Sequence, residues 1–146
     1  MDYHQMTAPC GLDCFSCVFY LATQNDEARA QVGQMSEKTG IPMDLLECHG
    51  CRHHAGRIPA LVNQNDESFQ CGTYTCANEN SHHHCGECDN FPCERLQPVA
   101  DKAQVLPHNI KVFNLLMINK LWLETWAKTK SSEIRSNYFT KPWSLE

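Results

Sequence analysis

The feature that most constrains this chain is a set of ten cysteines placed between residues 10 and 93 of its 146 residues. Six of them form three C-x2-C pairs, Cys14/Cys17, Cys48/Cys51 and Cys85/Cys88. A two-residue gap lets a tight turn direct both thiolates at one ion, and two such turns complete a tetrahedral site. Three pairs in one chain therefore indicate that the cysteines bind metal.

The remaining four cysteines flank these pairs and complete the set of candidate ligands: Cys10, Cys71, Cys76 and Cys93. One grouping joins the first two pairs around one ion and the third pair with Cys76 and Cys93 around another, but the sequence leaves other partitions open. We expect one or two zinc ions, because tetrahedral thiolate sites suit this borderline-soft ion, which has no redox chemistry. Structural zinc contributes on the order of 10 kcal/mol to the folding of small domains.

An iron–sulfur cluster is the alternative, because it too is held by four thiolates. The run Cys10-x3-Cys14-x2-Cys17 has the spacing of enzymes that cleave S-adenosylmethionine at a [4Fe–4S] cluster. Those enzymes carry the cluster on a partial or complete β/α barrel, and a full barrel takes about 250 residues with repeated strand–helix units. No such repeat follows here, so the alternative is an electron carrier or redox sensor.

Histidines accompany two of the pairs, in the runs 49–54 and 82–84. We expect each of them to be a polar loop residue and not a ligand, although together they could bind transition metals weakly. For catalysis, Cys10 or Cys71 would be the candidate nucleophile if the other eight cysteines close two sites, but nothing places a base beside either. The sequence favours a binding or adaptor module over an enzyme, with a thiol-dependent enzyme as a third hypothesis.

Composition and charge exclude several other classes of protein. The first ten residues have neither a basic n-region nor an apolar h-region, so we expect no secretory signal and a cytoplasmic location, where thiols stay reduced. No run reaches the roughly 18 consecutive apolar residues of a spanning helix. A net charge of −5 without a block of lysines or arginines disfavours nucleic-acid binding.

The helical patterns predict a mainly α fold with irregular, metal-stabilised cysteine-rich loops and little or no sheet. We expect short helices at Val18–Thr23 and Ile41–Leu46. A longer helix is expected between them, capped by Asn25 and ended after Thr39 by Gly40. Its core residues are expected to be Ala28, Val32 and Met35. Further helices are expected from Cys93 to Val105, ended by Pro107, and from Ile110 to Lys128, capped by Asn109. Asn114 is expected on the polar side of this last helix, and Phe113 and Leu116 on its wide apolar side.

These elements predict a single domain over residues 1–146, with a cysteine-rich metal-binding region at 8–96, a helical region at 97–130 and an irregular tail at 131–146. Core packing is the expected role of the apolar arc at 110–128. Trp122 and Trp126 also make this helix the candidate surface for another protein or for self-association. We expect no nucleic-acid or membrane partner.

Several of these motifs together resemble a cysteine-rich bacterial and archaeal family catalogued as a domain of unknown function, number 3795. The resemblance rests on Cys10-Gly-Leu-Asp-Cys-Phe-Ser-Cys17, Glu47-Cys-His-Gly-Cys-Arg52, the pair Cys71-x4-Cys76, and the run from Cys85 to Leu96. It extends through the following helix and covers most of residues 8 to 127. It implies a prokaryotic origin and a metal-type cysteine framework, and it supplies no activity.

Overall fold

The computed structural model describes residues 1–64, 67–96 and 110–140, and within them the chain is mainly helical. An isolated bridge between Thr7 and Asp13 is the one strand-type pairing in these ranges. The expected mainly α fold with irregular cysteine-rich loops is therefore confirmed. The helices are α1 (Tyr3–Met6), α2 (Val18–Leu21), α3 (Asp26–Thr39), α4 (Met43–Leu46), α5 (Pro59–Gln64), α6 (Gly72–Glu79), α7 (Ile110–Leu121), α8 (Leu123–Thr129) and α9 (Ser131–Thr140), and short 3-10 turns span Cys14–Ser16, Cys85–Glu87 and Glu94–Leu96. None of the helices in the described ranges is long and apolar enough to cross a membrane.

Local signals set the ends of α3 as predicted. The Asn25 side chain accepts a hydrogen bond of 2.8 Å from the Ala28 N–H, which satisfies one of the free donors at the start of a helix. Gly40 ends the helix in the left-handed conformation, with φ of 72°. Val32 is fully buried in a small core with α2 and α4, whereas Met35 is 40% exposed, so its expected core position is wrong.

The main core forms around Trp126 of α8, which is fully buried. The Phe15 ring packs edge-on against its indole, with 5.9 Å between ring centroids, and Tyr3 packs against Phe15 at 5.0 Å. Burying one phenylalanine contributes about 1.5–3 kcal/mol. Since Phe15 lies between Cys14 and Cys17, its burial fixes the first cysteine pair on the C-terminal helices. The other buried members of this core are Met6, Leu96, Leu115, Ile118, Leu123 and Ala127.

The expected single helix from Ile110 to Lys128 is wrong, because the chain breaks at Trp122. This residue has φ of 67° and ψ of 150°, and its side chain is 80% exposed. The Trp122 N–H still donates to the Ile118 carbonyl at 2.8 Å, and its own carbonyl accepts the Trp126 N–H at 2.9 Å. The break therefore changes the direction of the chain so that α8 places Trp126 in the core, while these two backbone hydrogen bonds are retained.

The buried side of α7 also differs from the expected one. Asn114 is buried, and its side-chain amide donates to the Gly11 carbonyl at 2.8 Å. Phe113 and Leu116, which were expected on the buried side, are exposed. Because the apolar arc of this helix is so wide, the partner at Gly11 and not the hydrophobic pattern decides its orientation.

The expected irregular tail from residue 131 is wrong for Ser131–Thr140, which form α9. Tyr138 is buried beside Ile110, Ile134 packs against the main core, and Ser131 and Arg135 donate to the buried carboxylate of Asp13. Polar anchors of this kind leave no apolar period in the sequence, which explains why the helix was not predicted. Residues 141–146 lie outside the described ranges.

The helix expected from Cys93 to Val105 is replaced, in its described part, by a 3-10 turn at Glu94–Leu96, and Cys93 is not helical. Residues 97–105 of that helix, the break at Pro107 and the cap at Asn109 lie outside the described ranges. Leu96 is buried in the main core and ties the end of the cysteine-rich segment to it.

Replacing Arg135 by alanine should lower the free energy of unfolding by about 3 kcal/mol, because the buried Asp13 carboxylate loses its cationic partner. Urea unfolding followed by circular dichroism measures this change. Arg29→Ala is the matched control, since Arg29 pairs with Glu47 at 3.4 Å and its side chain is 60% exposed. The control should lose less than about 1 kcal/mol. Equal losses would contradict the anchoring role of Arg135.

Replacing Trp122 by glycine should leave the free energy of unfolding unchanged or raise it by up to about 1 kcal/mol, because glycine adopts a positive φ without a steric penalty. The matched control is Lys120→Gly in regular helix, which should lower that free energy by about 1 kcal/mol. Thermal and urea unfolding compare the two variants. A loss at Trp122 as large as that at Lys120 would argue against the strained break.

Candidate functional site

The segment from Thr7 to Asp13, here named the Cys10 loop, is closed on itself and lies on α7. The Ala8 N–H donates to the Leu12 carbonyl at 2.9 Å, and the Gly11 N–H donates to the Ala8 carbonyl at 2.9 Å. Gly11 has φ of 86°, and a Cβ atom there would lie 2.8 Å from Leu115 Cγ. Glycine is therefore required by both conformation and space, and Cys10 is held at a fixed place beside the helix.

Two of the C-x2-C pairs form the same kind of tight turn. In the first turn (residues 14–17) the Cys17 N–H donates to the Cys14 carbonyl at 2.9 Å, and in the third turn (residues 85–88) the Cys88 N–H donates to the Cys85 carbonyl at 3.2 Å. Each closes a single 3-10 turn. The two-residue spacing thus produces the predicted tight turn at two of the three pairs, whereas the Cys51 N–H makes no such bond to the Cys48 carbonyl.

Asp13 anchors the first turn to α9. The Ser16 N–H donates to the Asp13 carbonyl at 3.1 Å, while the carboxylate accepts from the Ser131 hydroxyl and from Arg135 Nε, both at 2.9 Å. The hydrogen bond to Asp13 raises the pKa of the Arg135 guanidinium, which stays charged. The negative charge next to Cys14 is therefore compensated by α9.

The second C-x2-C segment (residues 48–51), called the second turn although no hydrogen bond closes it, approaches the first turn. The Cys48 N–H donates to the Phe19 carbonyl at 3.0 Å, and Gly50 takes φ of 86°. A Cβ atom at Gly50 would lie 3.9 Å from Cys14 Sγ, so this backbone approaches the thiol of the other pair. The Gly50 N–H also donates to Cys48 Sγ at 3.3 Å, a bond that favours the thiolate form.

The third turn lies on the Cys10 loop and on α7. The Cys85 N–H donates to the Pro9 carbonyl at 2.8 Å. The Asn119 amide donates to the Gly86 carbonyl at 2.7 Å, and a Cβ atom at Gly86 would lie 2.7 Å from Asn119 Oδ1. The backbone of Cys85 therefore lies beside that of the Cys10 loop, although Cys85 comes 75 positions after Cys10 in the chain.

Arg52 ties these parts together, and sequence reasoning missed it. Its Nε donates to the Thr7 carbonyl at 3.1 Å, and its Nη2 donates to the His83 carbonyl. One guanidinium thus joins the end of the second turn to the Cys10 loop and to the segment that precedes the third turn. Its position directly after Cys51 was the available signal.

Burial and mutual repulsion make the thiols hard to ionise. Burial raises the pKa of Cys14 to about 12, with further contributions from Cys10, Cys48 and Cys17. Burial also raises the pKa of Cys51, and the thiolates of Cys10 and Cys14 add to it. A second negative charge among these thiols is therefore unfavourable.

The same relation holds around the third turn. Burial raises the pKa of Cys85 to about 12, and Cys10, Cys93, Cys76 and Cys88 raise it further. Cys10 raises the pKa of Cys14, Cys51 and Cys85 alike, and burial raises the pKa of Cys10 itself. A raised pKa is the opposite of what a cysteine nucleophile needs, which disfavours Cys10 in that role.

The cysteines that raise one another's pKa fall into two sets, here called neighbourhoods, and Cys10 acts on both. All ten are described and all are free thiols. Within residues 1–64, 67–96 and 110–140, no three side chains of His, Cys, Asp or Glu are placed together so that they could hold a metal ion. The fold brings the three C-x2-C segments together, and metal binding by their thiols stays a prediction. The first neighbourhood contains Cys14, Cys17, Cys48, Cys51 and Cys71, and the second contains Cys76, Cys85, Cys88 and Cys93.

The histidines collect in two groups beside the turns. The rings of His49, His53 and His54 lie within 6 Å of one another, and the His54 Nε2 accepts the His49 N–H at 3.1 Å. His4, which sequence reasoning did not single out, meets His83 with 3.3 Å between Nδ1 and Nε2. Burial lowers the pKa of His54 and of His83, so both tend towards the neutral form.

Replacing Gly50 by alanine should lower the free energy of unfolding by about 1–2 kcal/mol, because an L-residue is strained at positive φ. Gly33→Ala is a matched control with the opposite sign. Gly33 lies inside α3 with no other atom within 4 Å of a Cβ there, so alanine should stabilise by about 0.5–1 kcal/mol. Urea unfolding measures the free energy of unfolding of the two variants. A Gly50→Ala protein that is more stable than the parent would contradict the turn geometry.

Comparison with known proteins gives one match. The family model described as "Protein of unknown function (DUF3795)" matches residues 6–98, which is more than half of the chain and includes all ten cysteines. No curated protein and no solved structure matches the chain. The Cys10 loop and the three turns all lie inside the matched segment. The chain belongs to DUF3795, a family of proteins of unknown function.

Proposed function

We propose that this protein binds one or two zinc ions through its cysteines and acts in the cytoplasm as a zinc-stabilised binding or adaptor module. The observation that carries the proposal is the meeting of the three C-x2-C turns at the Cys10 loop. Gly50 of the second turn approaches Cys14 Sγ of the first, and the third turn is bonded to Pro9. Paired turns of this kind supply the four thiolates of structural zinc.

The chemistry of the donor set also fits zinc. Burial and neighbouring thiols oppose ionisation of Cys14 and Cys85 by raising their pKa. A divalent cation reverses this balance, because it binds the deprotonated thiolates and releases their protons. The hydrogen bond from the Gly50 N–H to Cys48 Sγ would persist on the bound thiolate and support it.

The fold gives the ion a structural role. The cysteine-bearing loops have little regular structure, and they are connected mainly through backbone bonds and the Arg52 side chain. Zinc would link segments distant in sequence and would contribute on the order of 10 kcal/mol to folding. A stable arrangement of loops is what a binding module needs to present a constant surface.

A partner could be bound along α7 and α8. Trp122 and Leu116 are exposed there, with 80% and 51% of their surface accessible. Exposed aromatic side chains on a rigid support are frequent anchors of protein interfaces. We propose this helical surface as the place of contact with another protein or a second copy.

An iron–sulfur electron carrier or sensor is the second candidate. It is favoured by the run that joins Cys10, Cys14 and Cys17, because the charges of Cys10 and Cys17 both raise the pKa of Cys14. Three thiols from one segment and one from another would complete the ligands of a cluster. Iron in place of zinc would move the function from binding to redox chemistry.

Protein purified without oxygen, without a tag and without added metal should contain one or two zinc ions per chain and should be colourless. Removing the zinc with a chelator should lower the unfolding midpoint strongly, because ligand binding to the native state is lost. Elemental analysis, a visible spectrum and a thermal unfolding curve measure these properties.

The control compares two changes in the same turn. Cys14→Ser with Cys17→Ser should reduce the zinc content, whereas Ser16→Ala, between the two cysteines, should retain it. Stoichiometric iron with sulfide and a broad absorbance near ~400 nm would overturn zinc in favour of the cluster. Absence of any bound metal, with the fold unchanged by chelator, would overturn both candidates.

A further inference from the structure

Trp122 combines two properties that core packing does not explain. Its side chain is 80% exposed, the largest exposed fraction among the large hydrophobic side chains of the described residues. Its backbone has φ of 67° and ψ of 150°, a region that is essentially reserved for glycine. The strained backbone is therefore not offset by burial of its own indole. Strained residues of this kind cluster at active sites and ligand-binding sites, where the strain holds a side chain in a fixed place.

The exposed face of α7 leads up to Trp122. Phe113 and Leu116 are 37% and 51% exposed, and their spacing of three residues places them on one face of the helix. Lys120, one turn after Leu116, continues this face and is exposed. The Trp122 N–H still donates to the Ile118 carbonyl at 2.8 Å, so Trp122 follows directly in the last turn. Together Phe113, Leu116, Lys120 and Trp122 are here named the α7 face, which extends about 14 Å along the helix.

The size of the α7 face fits a short segment of another protein better than a second copy. Three apolar side chains with these exposed fractions present on the order of 400 Å² of surface. A stable dimer buries roughly 800 Å² on each partner. A two-fold axis through the α7 face would also bring the lysines of two copies together, which costs binding energy.

The charge of the α7 face predicts the chemistry of that segment. The chain has a net charge of −5, yet the sequence of α7 contains two lysines and no acidic residue. Lys120 pairs with no carboxylate among the residues that the structure describes. Glu124, the first acidic residue after the break, is neutralised by Lys128 at 2.7 Å. An acidic partner is therefore attracted to this face, and a basic one is repelled.

We propose that the α7 face binds an acidic amphipathic helix of another protein, whose apolar side chains pack on Phe113, Leu116 and Trp122 and whose carboxylates face Lys120. Helices that bind in this way present apolar residues three, four and seven positions apart, which matches the spacing along α7. Trp122 is the main anchor, because a large aromatic side chain on a fixed backbone loses little conformational freedom on binding. The inference rests on the adaptor role proposed above and names the chemistry of its partner.

The direct test titrates the full-length, zinc-containing protein with two synthetic helical peptides. Both carry leucines three, four and seven positions apart, and the remaining positions hold glutamates in one peptide and lysines in the other. We expect the acidic peptide to bind about tenfold more tightly or better at low salt, and the preference to shrink as salt is added. In NMR spectra the indole N–H signal of Trp122 should shift, whereas that of the buried Trp126 should not. Equal affinity for the two peptides, no binding of either, or an unchanged Trp122 signal would overturn the proposal.

Matched variants identify the residues that bind the peptide. Trp122→Gly should lower the affinity for the acidic peptide about tenfold or more while the protein stays folded, because glycine suits this backbone. Lys120→Glu should lower it about threefold and raise the affinity for the basic peptide. Met35→Ala is the control, since Met35 of α3 is also an exposed hydrophobic residue, and it should change neither affinity. A dimer that Trp122→Gly dissociates would overturn the proposal in favour of a second copy.

The zinc content of the same preparations separates this inference from the proposed zinc function. Zinc-containing protein that binds neither peptide would overturn the partner assignment while the zinc function stands. Protein that contains no zinc but binds the acidic peptide through Trp122 would overturn the role of zinc and support the partner assignment.

Discussion

The contact of the Cys10 loop with α7 is the interaction on which the rest of the structure depends. Gly11 lies so close to Leu115 that a Cβ atom would not fit, and the buried Asn114 amide bonds to its carbonyl. The first turn continues directly from this loop, the third turn bonds to its Pro9, and Arg52 bonds to its Thr7. The contact between the Cys10 loop and α7 therefore positions the rest of the cysteine-rich segment.

Around this contact the protein balances two opposing effects. The hydrophobic core near Phe15 and Trp126 draws the first turn inward and leaves its thiols only partly exposed. Burial then makes the thiolate forms of Cys14 and Cys51 unfavourable, as their raised pKa values express. Crowded thiols of this kind contribute little to stability by themselves. A bound cation would turn the same crowding into coordination, which is the physical basis of the zinc proposal.

The sequence predicted what local chemistry determines. The tight turns at Cys14 and Cys85 follow from the two-residue spacing, and the ends of α3 follow from Asn25 and Gly40. The predictions from the sequence were wrong where contacts between residues distant in the chain determine the structure. The break at Trp122, the burial of Asn114 and the helix from Ser131 depend on contacts with the core, with Gly11 and with Asp13. The role of Arg52 is likewise visible only once the turns lie together.

The most direct test of the account is a count of the cysteines that zinc protects together. Native protein, with and without chelator, is treated with an alkylating reagent, and mass spectrometry of its peptides identifies each modified cysteine. The account predicts that cysteines of all three turns are protected while zinc is bound and become reactive when it is removed. Protection confined to one turn, or no protection, would contradict the convergence of the three turns on bound metal.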